Sequence, residues 1–250
     1  MRIANGVEML EISANMMGKQ SVICPTLLWD EQSAVLVDTG YPGQLPLIRQ
    51  AMEQAGISFE TLSKVILTHQ DLDHIGSLPN ILTESEQKIE VLANEIEKPF
   101  IQGEKRLLKI TDEAIAQVDA NFPPDVPEEW RNAFKRLLEN PPHAQVDTIV
   151  VDGAELPDCG GITIIDTPGH TPGHISLYHQ PSKTLIAGDA MVVRDGQLFG
   201  PDPQYTLDLD EAMRSLKKLT RYDIETVICY HGGAFGDQVN TRIAELAAGH

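Results

Sequence analysis

Short apolar runs alternate along this chain with longer stretches whose apolar residues recur every three or four positions. Ser33-Ala-Val-Leu-Val-Asp38 is a continuous apolar run stopped by Thr39-Gly40, which predicts a buried strand. From 44 to 56 the apolar residues fall at Leu45, Ile48, Met52 and Ala55, one face of a helix, and Gly56 is a stop signal. Lys64-Val-Ile-Leu-Thr68 predicts the next strand, 76–82 a short helix and Glu90-Val-Leu-Ala93 another strand. The strand–helix order favours an α/β class with sheets buried under helices.

Residues 95–145 break this rhythm. Glu128 to Glu139 reads as a helix with Trp130, Phe134, Leu137 and Leu138 on one side, flanked by Pro123-Pro124 and Pro141-Pro142. The segment reads as a helical insertion or lid within one domain spanning 1–250, or as an ordinary connecting helix layer. The alternation then resumes. Strands are predicted at 148–152 and 161–165, and a hairpin joins 176–178 to 184–187 around Pro181-Ser182. A helix begins at Asp208, with Glu211 completing an acidic capping box. A strand at 226–229 and a helix at 241–248 close the chain.

Charge narrows the choice of partners. The 250 residues carry 37 acidic and 19 basic side chains, a formal net charge of −18. That field repels phosphate backbones and anionic membrane surfaces, so neither nucleic acid nor membrane is an expected partner. No run reaches the roughly 20 apolar residues of a bilayer span. The opening Met1-Arg-Ile-Ala lacks the apolar core of a secretory signal, so a cytoplasmic location is expected. Three cysteines without a C-x-x-C pair argue against a disulfide framework, and Cys229, ending Thr226-Val-Ile, reads as a buried strand residue.

The chemistry lies just after the strands. Asp38, His69, His170, Asp189 and His231 each follow a predicted strand, and loops at one end of a sheet can converge on one point. His69, Asp71, Asp73 and His74 crowd into Thr68-His-Gln-Asp-Leu-Asp-His-Ile-Gly76. Imidazole and carboxylate without thiolate suit zinc, manganese or iron. There are more such groups than one tetrahedral ion needs, which suggests two. Each motif has a plainer reading. A lone histidine is usually a satisfied surface or core residue, an Asp-rich loop is often a helix cap, and Thr-Pro-Gly-His is often a turn. Their joint occurrence in this order points to a metal centre.

The order Asp38-Thr-Gly40, His69-Gln-Asp-Leu-Asp-His74, Thr167-Pro-Gly-His-Thr-Pro-Gly-His174, Gly188-Asp189 and His231-Gly-Gly233 resembles the metallo-β-lactamase superfamily over about residues 20 to 245. The resemblance implies an αββα sandwich with two central mixed β-sheets and outer helices. It implies two divalent ions, zinc foremost. The first would be held by His69, Asp71 and His170, the second by Asp73, His74 and His231, and Asp189 would bridge them. Asp73 would also act catalytically, accepting a proton or orienting the nucleophile. Asp38 and His174 would support the ligands without binding metal. His143, His179 and His250 match no motif and read as solvated. One departure stands out: Asp71 occupies the place where the family usually has histidine. The extra carboxylate predicts a less electrophilic, harder site that accepts manganese or iron more readily.

A dinuclear site of this kind implies hydrolysis of a small-molecule carboxylic ester, lactone or thioester, with phosphoesters behind. The lactamase branches lack the bridging carboxylate, and the redox branch usually carries a fused flavin-binding domain. Size and insertion resemble acyl-homoserine-lactone lactonases, which usually have tyrosine where this chain has Val192. Glutathione-thioester hydrolases use basic residues near the C-terminus, and only Arg242 follows His231 here. Met191, Val192, Leu198 and Phe199 are candidates for an acyl pocket or for a sheet edge, and Trp130 and Phe134 share that ambiguity. A non-catalytic metal-binding or ligand-sensing protein is the alternative. The insertion could serve as a lid or as the surface of a homodimer.

Overall fold

The structure is a computed structural model that describes residues 1–16, 19–123 and 125–249. Two mixed sheets pack face to face. The first runs Arg2–Ala4, Val7–Met9, Thr26–Trp29, Ala34–Val37, Leu62–Ile66, Glu90–Asn94, Thr148–Val150 in spatial order. Its first four strands pair antiparallel, and the pairs from Ala34–Val37 onward are parallel. The second runs Glu155–Leu156, Ile162–Asp166, Ile175–His179, Thr184–Gly188, Thr226–Cys229, Gly233–Phe235. Only the Thr184–Gly188 and Thr226–Cys229 pair in it is parallel.

The period-two geometry of strands sorts the apolar residues into layers. Val35, Val37, Ile66 and Leu92 of the first sheet meet Ile162, Ile164, Leu177, Ile186 and Ile228 of the second in the central core. Their neighbours Leu36, Val65 and Val91 face the other way, onto Leu45, Ile48 and Met52 of helix Leu45–Gln54. Leu185, Val227 and Cys229 likewise face Leu216 and Leu219 of helix Leu209–Leu219 and Ile243 and Leu246 of helix Val239–Ala247. Both faces of both sheets are therefore covered, giving the αββα sandwich expected from the sequence. Full burial of each such aliphatic side chain contributes about 1.5–3 kcal/mol.

Several local details differ from the expectations. The short helix expected at 76–82 divides into Leu72–Ile75 and Leu78–Glu84. Gly76 lies where a Cβ would be 2.4 Å from Pro42 N, so the chain passes against the Tyr41–Pro42 backbone there. The 95–145 segment carries helices Lys98–Ile101, Asp112–Ala116, Val118–Asn121 and Glu128–Glu139. Its Ile101, Leu107, Ile110, Val118 and Leu138 join the core on the outer face of the first sheet. Phe134 packs edge-on to Phe122 at 5.5 Å. Trp130 is 68% exposed, so it is not on the packed side of its helix as the sequence pattern suggested. His179, expected to be solvated, is 1% exposed because its two ring nitrogens are held by Cys159 O at 2.8 Å and Ser182 Oγ at 2.7 Å. His143 is exposed, and His250 lies outside the described residues. All three cysteines are free and buried. Among the described residues no helix is long and apolar enough to cross a membrane.

Candidate metal centre

A separate two-stranded hairpin, Ile12–Met16 with Lys19–Ile23, leads into the first sheet and closes one end of the sandwich. Where it ends, Ile23 bridges to His231, and Cys24 N donates to Tyr230 O at 2.9 Å, forming a seam with the second sheet. Strand ends from both sheets deliver their polar residues to this seam. Asp38 follows Ala34–Val37, His69 follows Leu62–Ile66, and Asp71 stands at the N-cap position of the helix carrying Asp73 and His74, its carboxylate turned to the cluster rather than to the helix. From the second sheet, His170, Asp189 and His231 follow Ile162–Asp166, Thr184–Gly188 and Thr226–Cys229.

The side chains form two groups, His69 with His170 and Asp189, and Asp73 with His74 and His231. Asp189 lies between them, with Oδ2 3.2 Å from His170 Nε2 and 3.5 Å from His231 Nε2, and Oδ1 3.6 Å from His74 Nε2. Asp73 Oδ2 is 3.2 Å from His231 Nε2 and 3.7 Å from His74 Nε2. Asp71 Oδ2 is 3.2 Å from His69 Nε2 and 3.0 Å from His170 Nε2. The ligand chemistry fits divalent metal: His69 Nε2, His74 Nε2 and Asp189 Oδ1 are buried without a hydrogen-bond partner, and buried polar atoms are rarely left so.

Supporting residues set the direction of each ring. His74 Nδ1 donates to Asp38 Oδ2 at 2.9 Å, leaving Nε2 for the cluster. Asp38 also accepts from Thr68 N and Thr68 Oγ1, both at 2.8 Å. His174 Nε2 accepts from Asp189 N at 3.0 Å, so its Nδ1–H points at Thr167 Oγ1, 2.9 Å away. His174 therefore fixes the Asp189 loop and has no lone pair free for a metal. Gly188, at φ +54°, allows this contact, since a Cβ there would lie 2.7 Å from His174 Nε2.

Charge distributes accordingly. Burial, with His170 nearby, pushes His174 down to about 3. Burial and His74 push His69 well below the usual histidine range. Burial also disfavours charge on His74, but Asp38, Asp73 and Asp189 outweigh it and raise that imidazole. His231 is held up at about 10 by Asp189 and Asp73 against the opposing effect of burial. Burial opposes ionisation of Asp189, yet His231, His74 and His170 hold it well below the usual carboxylate range. For Asp71, burial is likewise overcome by His69, His170 and Lys109. An ion entering the site displaces the protons carried by its imidazole ligands.

Lys109 is the residue that sequence reasoning missed. Its Nζ lies 2.5 Å from Asp71 Oδ2 and 2.7 Å from His170 Nε2. Nothing local marks it, because it sits in the irregular part of 95–145 far from any strand end. Gln70, Glu97, Thr68 and Tyr230 also went unmarked. Tyr230 stacks on His74 with ring centroids 3.8 Å apart, and its hydroxyl donates to Asp73 O at 2.5 Å.

A cavity of about 450 Å³ opens over the cluster, lined by Asp73 and Asp189 and by Tyr41, Val192, Arg194 and Tyr205 among others. Of the expected pocket residues only Val192 lines it. Met191 and Leu198 are fully buried in the core beneath, and Phe199 is 40% exposed on the outer strand of the hairpin Val192–Arg194 and Gln197–Phe199. No described residue of 95–145 lines the cavity. That segment contributes Lys109 to the cluster.

A family profile described as metallo-beta-lactamase superfamily matches residues 25–231. A probable metallo-hydrolase of Bacillus subtilis, YflN, is 29% identical over 237 residues, covering 87% of this chain and 83% of that protein. A hydroxyacylglutathione hydrolase of Haemophilus influenzae, GloC, is 25% identical over 168 residues, covering 66% of this chain and 65% of that protein. Among solved structures, a metallo-beta-lactamase family protein from Thermus thermophilus superposes with a TM-score of 0.69 at 24% identity, over 100% of this chain and 80% of that one. An archaeal superfamily protein from Sulfolobus tokodaii gives 0.64 at 19% identity, over 98% and 85%.

Proposed function

The chain belongs to the metallo-beta-lactamase superfamily, and from that premise we propose that it hydrolyses a small-molecule carboxylic ester, lactone or thioester at a divalent-metal centre. The observation that carries this reading is the Asp189 carboxylate between the two His-containing groups, at the floor of the cavity. Asp73, His74, His231 and Asp189 would hold one ion, and His69, His170 and Asp189 are the nearest set for another. When bound, a divalent ion supplies a water of lowered pKa and a Lewis acid for the substrate carbonyl.

The chain's own residues provide the rest. Water adds to the carbonyl carbon, and the bond from that carbon to the leaving oxygen or sulfur breaks. The Asp73 carboxylate takes the proton released by the water and returns it to the leaving group. Tyr41, which lines the cavity, is kept protonated by burial and by Asp73 and Asp189. Its phenol can therefore donate to a substrate oxygen. Val192, Val193 and Tyr205 offer apolar surface to an acyl chain. The kinship with GloC supports the thioester arm. Arg242, however, is bound to Leu198 O and Glu245 and is not among the cavity residues, so a glutathione moiety would lack that anchor. The negative surface supports a substrate other than nucleic acid.

Zinc is the ion this site favours on our reading. Asp71 favours manganese or iron only as uncompensated charge, and Lys109 supplies the compensating positive charge. A screen of lactones, esters, thioesters, phosphoesters and β-lactams, with zinc and with manganese, tests the proposal. Turnover of a carboxylic substrate, abolished in Asp189→Ala, is the expected result. Phosphoester turnover above every carboxylic substrate would overturn it. Absence of turnover on all classes, with Asp189→Ala losing only stability, would favour the non-catalytic reading.

A further inference from the structure

We propose that the Lys109 side chain occupies the first metal position, so that the protein holds one divalent ion tightly, at Asp73, His74, His231 and Asp189, and admits a second only when Lys109 withdraws. The inference rests on the metal-centre reading above and goes beyond it in assigning unequal occupancy and its cause.

Occupancy of the first position turns on one lone pair. His170 Nε2 is the ring atom nearest Asp71 and Asp189, at 3.0 and 3.2 Å. Lys109 Nζ lies 2.7 Å from it. An imidazole nitrogen has a single in-plane lone pair. With the proton on Nδ1 that lone pair meets an N–H of Lys109, and with the proton on Nε2 the ring donates to Asp71 Oδ2 at 3.0 Å; in either tautomer Nε2 has no free lone pair for an ion, which would bind the same atom at about 2.0–2.1 Å. Asp71 Oδ2 is engaged as well, at 2.5 Å from the same Nζ. Two of the groups around the first position thus already have a cationic partner. Like charge adds to the exclusion, since an ion there would face an ammonium across a few ångströms of buried space.

The second position is different. The distances among His74, His231, Asp73 and Asp189 involve no lysine or arginine, and His74 Nε2 and Asp189 Oδ1 are without partners.

Lys109 is built into this place. Leu107 and Ile110, on either side of it, are buried in the core. Leu108 N donates to Gln70 Oε1 at 2.8 Å. Gln70 is itself fully buried, and its Nε2 and main-chain N both donate to Glu97 Oε2, at 2.9 and 3.0 Å. The backbone beside Lys109 is therefore tied to the residue that follows His69. Only the lysine side chain has to move for the first position to open, and its 23% exposure gives it a way out.

The test is metal stoichiometry. Protein stripped with chelator and titrated with zinc should bind one equivalent tightly in the wild type. Lys109→Met, which keeps most of the stem, and Lys109→Ala should each bind two. The first position should tighten by about tenfold or more, the scale on which partners of metal ligands act. A second readout follows the lysine itself: acylation of Lys109, read by mass spectrometry, should rise when zinc is taken from one equivalent to saturating excess. Two tight equivalents in the wild type would overturn the inference while leaving the metal-centre reading intact. One equivalent in all three proteins, or acylation indifferent to zinc, would also overturn it. Absence of zinc binding in every protein would overturn both readings together.

Discussion

Asp38 accepts a hydrogen bond from His74 Nδ1 at 2.9 Å while holding a backbone φ of +63°. One residue thus meets two demands. Left-handed backbone is tolerated by Asn and Asp better than by other side chains with a Cβ. The carboxylate aims His74 and also ties down Thr68. Asp38→Asn keeps the backbone preference and removes the charge. We expect it to fold, with metal affinity reduced about 10–100-fold, as read by zinc competition with a chromophoric chelator. Asp38→Ala adds left-handed strain and strands three buried donors, and should cost on the order of 3 kcal/mol or more in chemical denaturation. Equal metal affinity in Asp38→Asn and wild type would refute this role.

Gly232, next to His231, has φ +97° and sits where a Cβ would lie 1.9 Å from Val193 O. The carbonyl of His231 also accepts from Val193 N at 3.1 Å. Gly232→Ala must separate the Val192–Arg194 hairpin from this corner, at a cost of about 3 kcal/mol. The variant should lose thermal stability and zinc affinity together, because His231 shifts with its neighbour. A stable variant that lost neither would show that the hairpin yields freely.

His179 links stability to pH away from the centre. Burial lowers its pKa below the ordinary value of 6.5, with the bond to Cys159 O opposing. The folded protein therefore binds fewer protons at this site than the unfolded chain. The resulting stabilisation is complete above about pH 6.5 and is lost as pH falls below it, by at most about 1.4 kcal/mol per pH unit. Thermal melts of wild type and His179→Gln between about pH 7.5 and 5.5, a range of about one unit either side of the free histidine value, should converge as pH falls. Parallel curves would rule this linkage out.

Removing divalent ions should lower the melting temperature, because an ion bound only by the folded state adds RT ln(1 + [L]/Kd), about 2.7 kcal/mol at a hundredfold excess over Kd. Restoring zinc should recover it in the wild type and leave Asp189→Ala nearly unchanged. A melting temperature indifferent to chelator would contradict the metal centre itself.

The sequence made much of the cluster legible through a local rule: Asp38, His69, His170, Asp189 and His231 each follow a short apolar run. The same rule exposed the alternating layers, since Val35 and Val37 face one way and Ala34 and Leu36 the other. It could not show Lys109, whose position depends on the Gln70–Leu108 and Gln70–Glu97 contacts across distant segments. Asp195-Gly196, both at positive φ, is a hairpin turn of the strongest short-range kind. It sets Val192 and Phe199 opposite each other on paired strands. The alternation along such a strand then separates Val192, at the cavity, from the neighbouring Met191 in the core.

The seam between the sheets has a consequence for the order of events in folding. The cluster draws on Asp38, His69 and His74 from the first sheet and on His170, Asp189 and His231 from the second. The candidate ligands are spread from His69 to His231, so few of them are neighbours until both sheets have formed and closed. Contacts of such sequence separation form late, after loop closure has been met. We expect metal loading to be a last step, made on a nearly finished protein. Zinc should leave the refolding rate almost untouched and slow unfolding by nearly the whole of its stabilising effect, the signature of an interaction absent from the transition state.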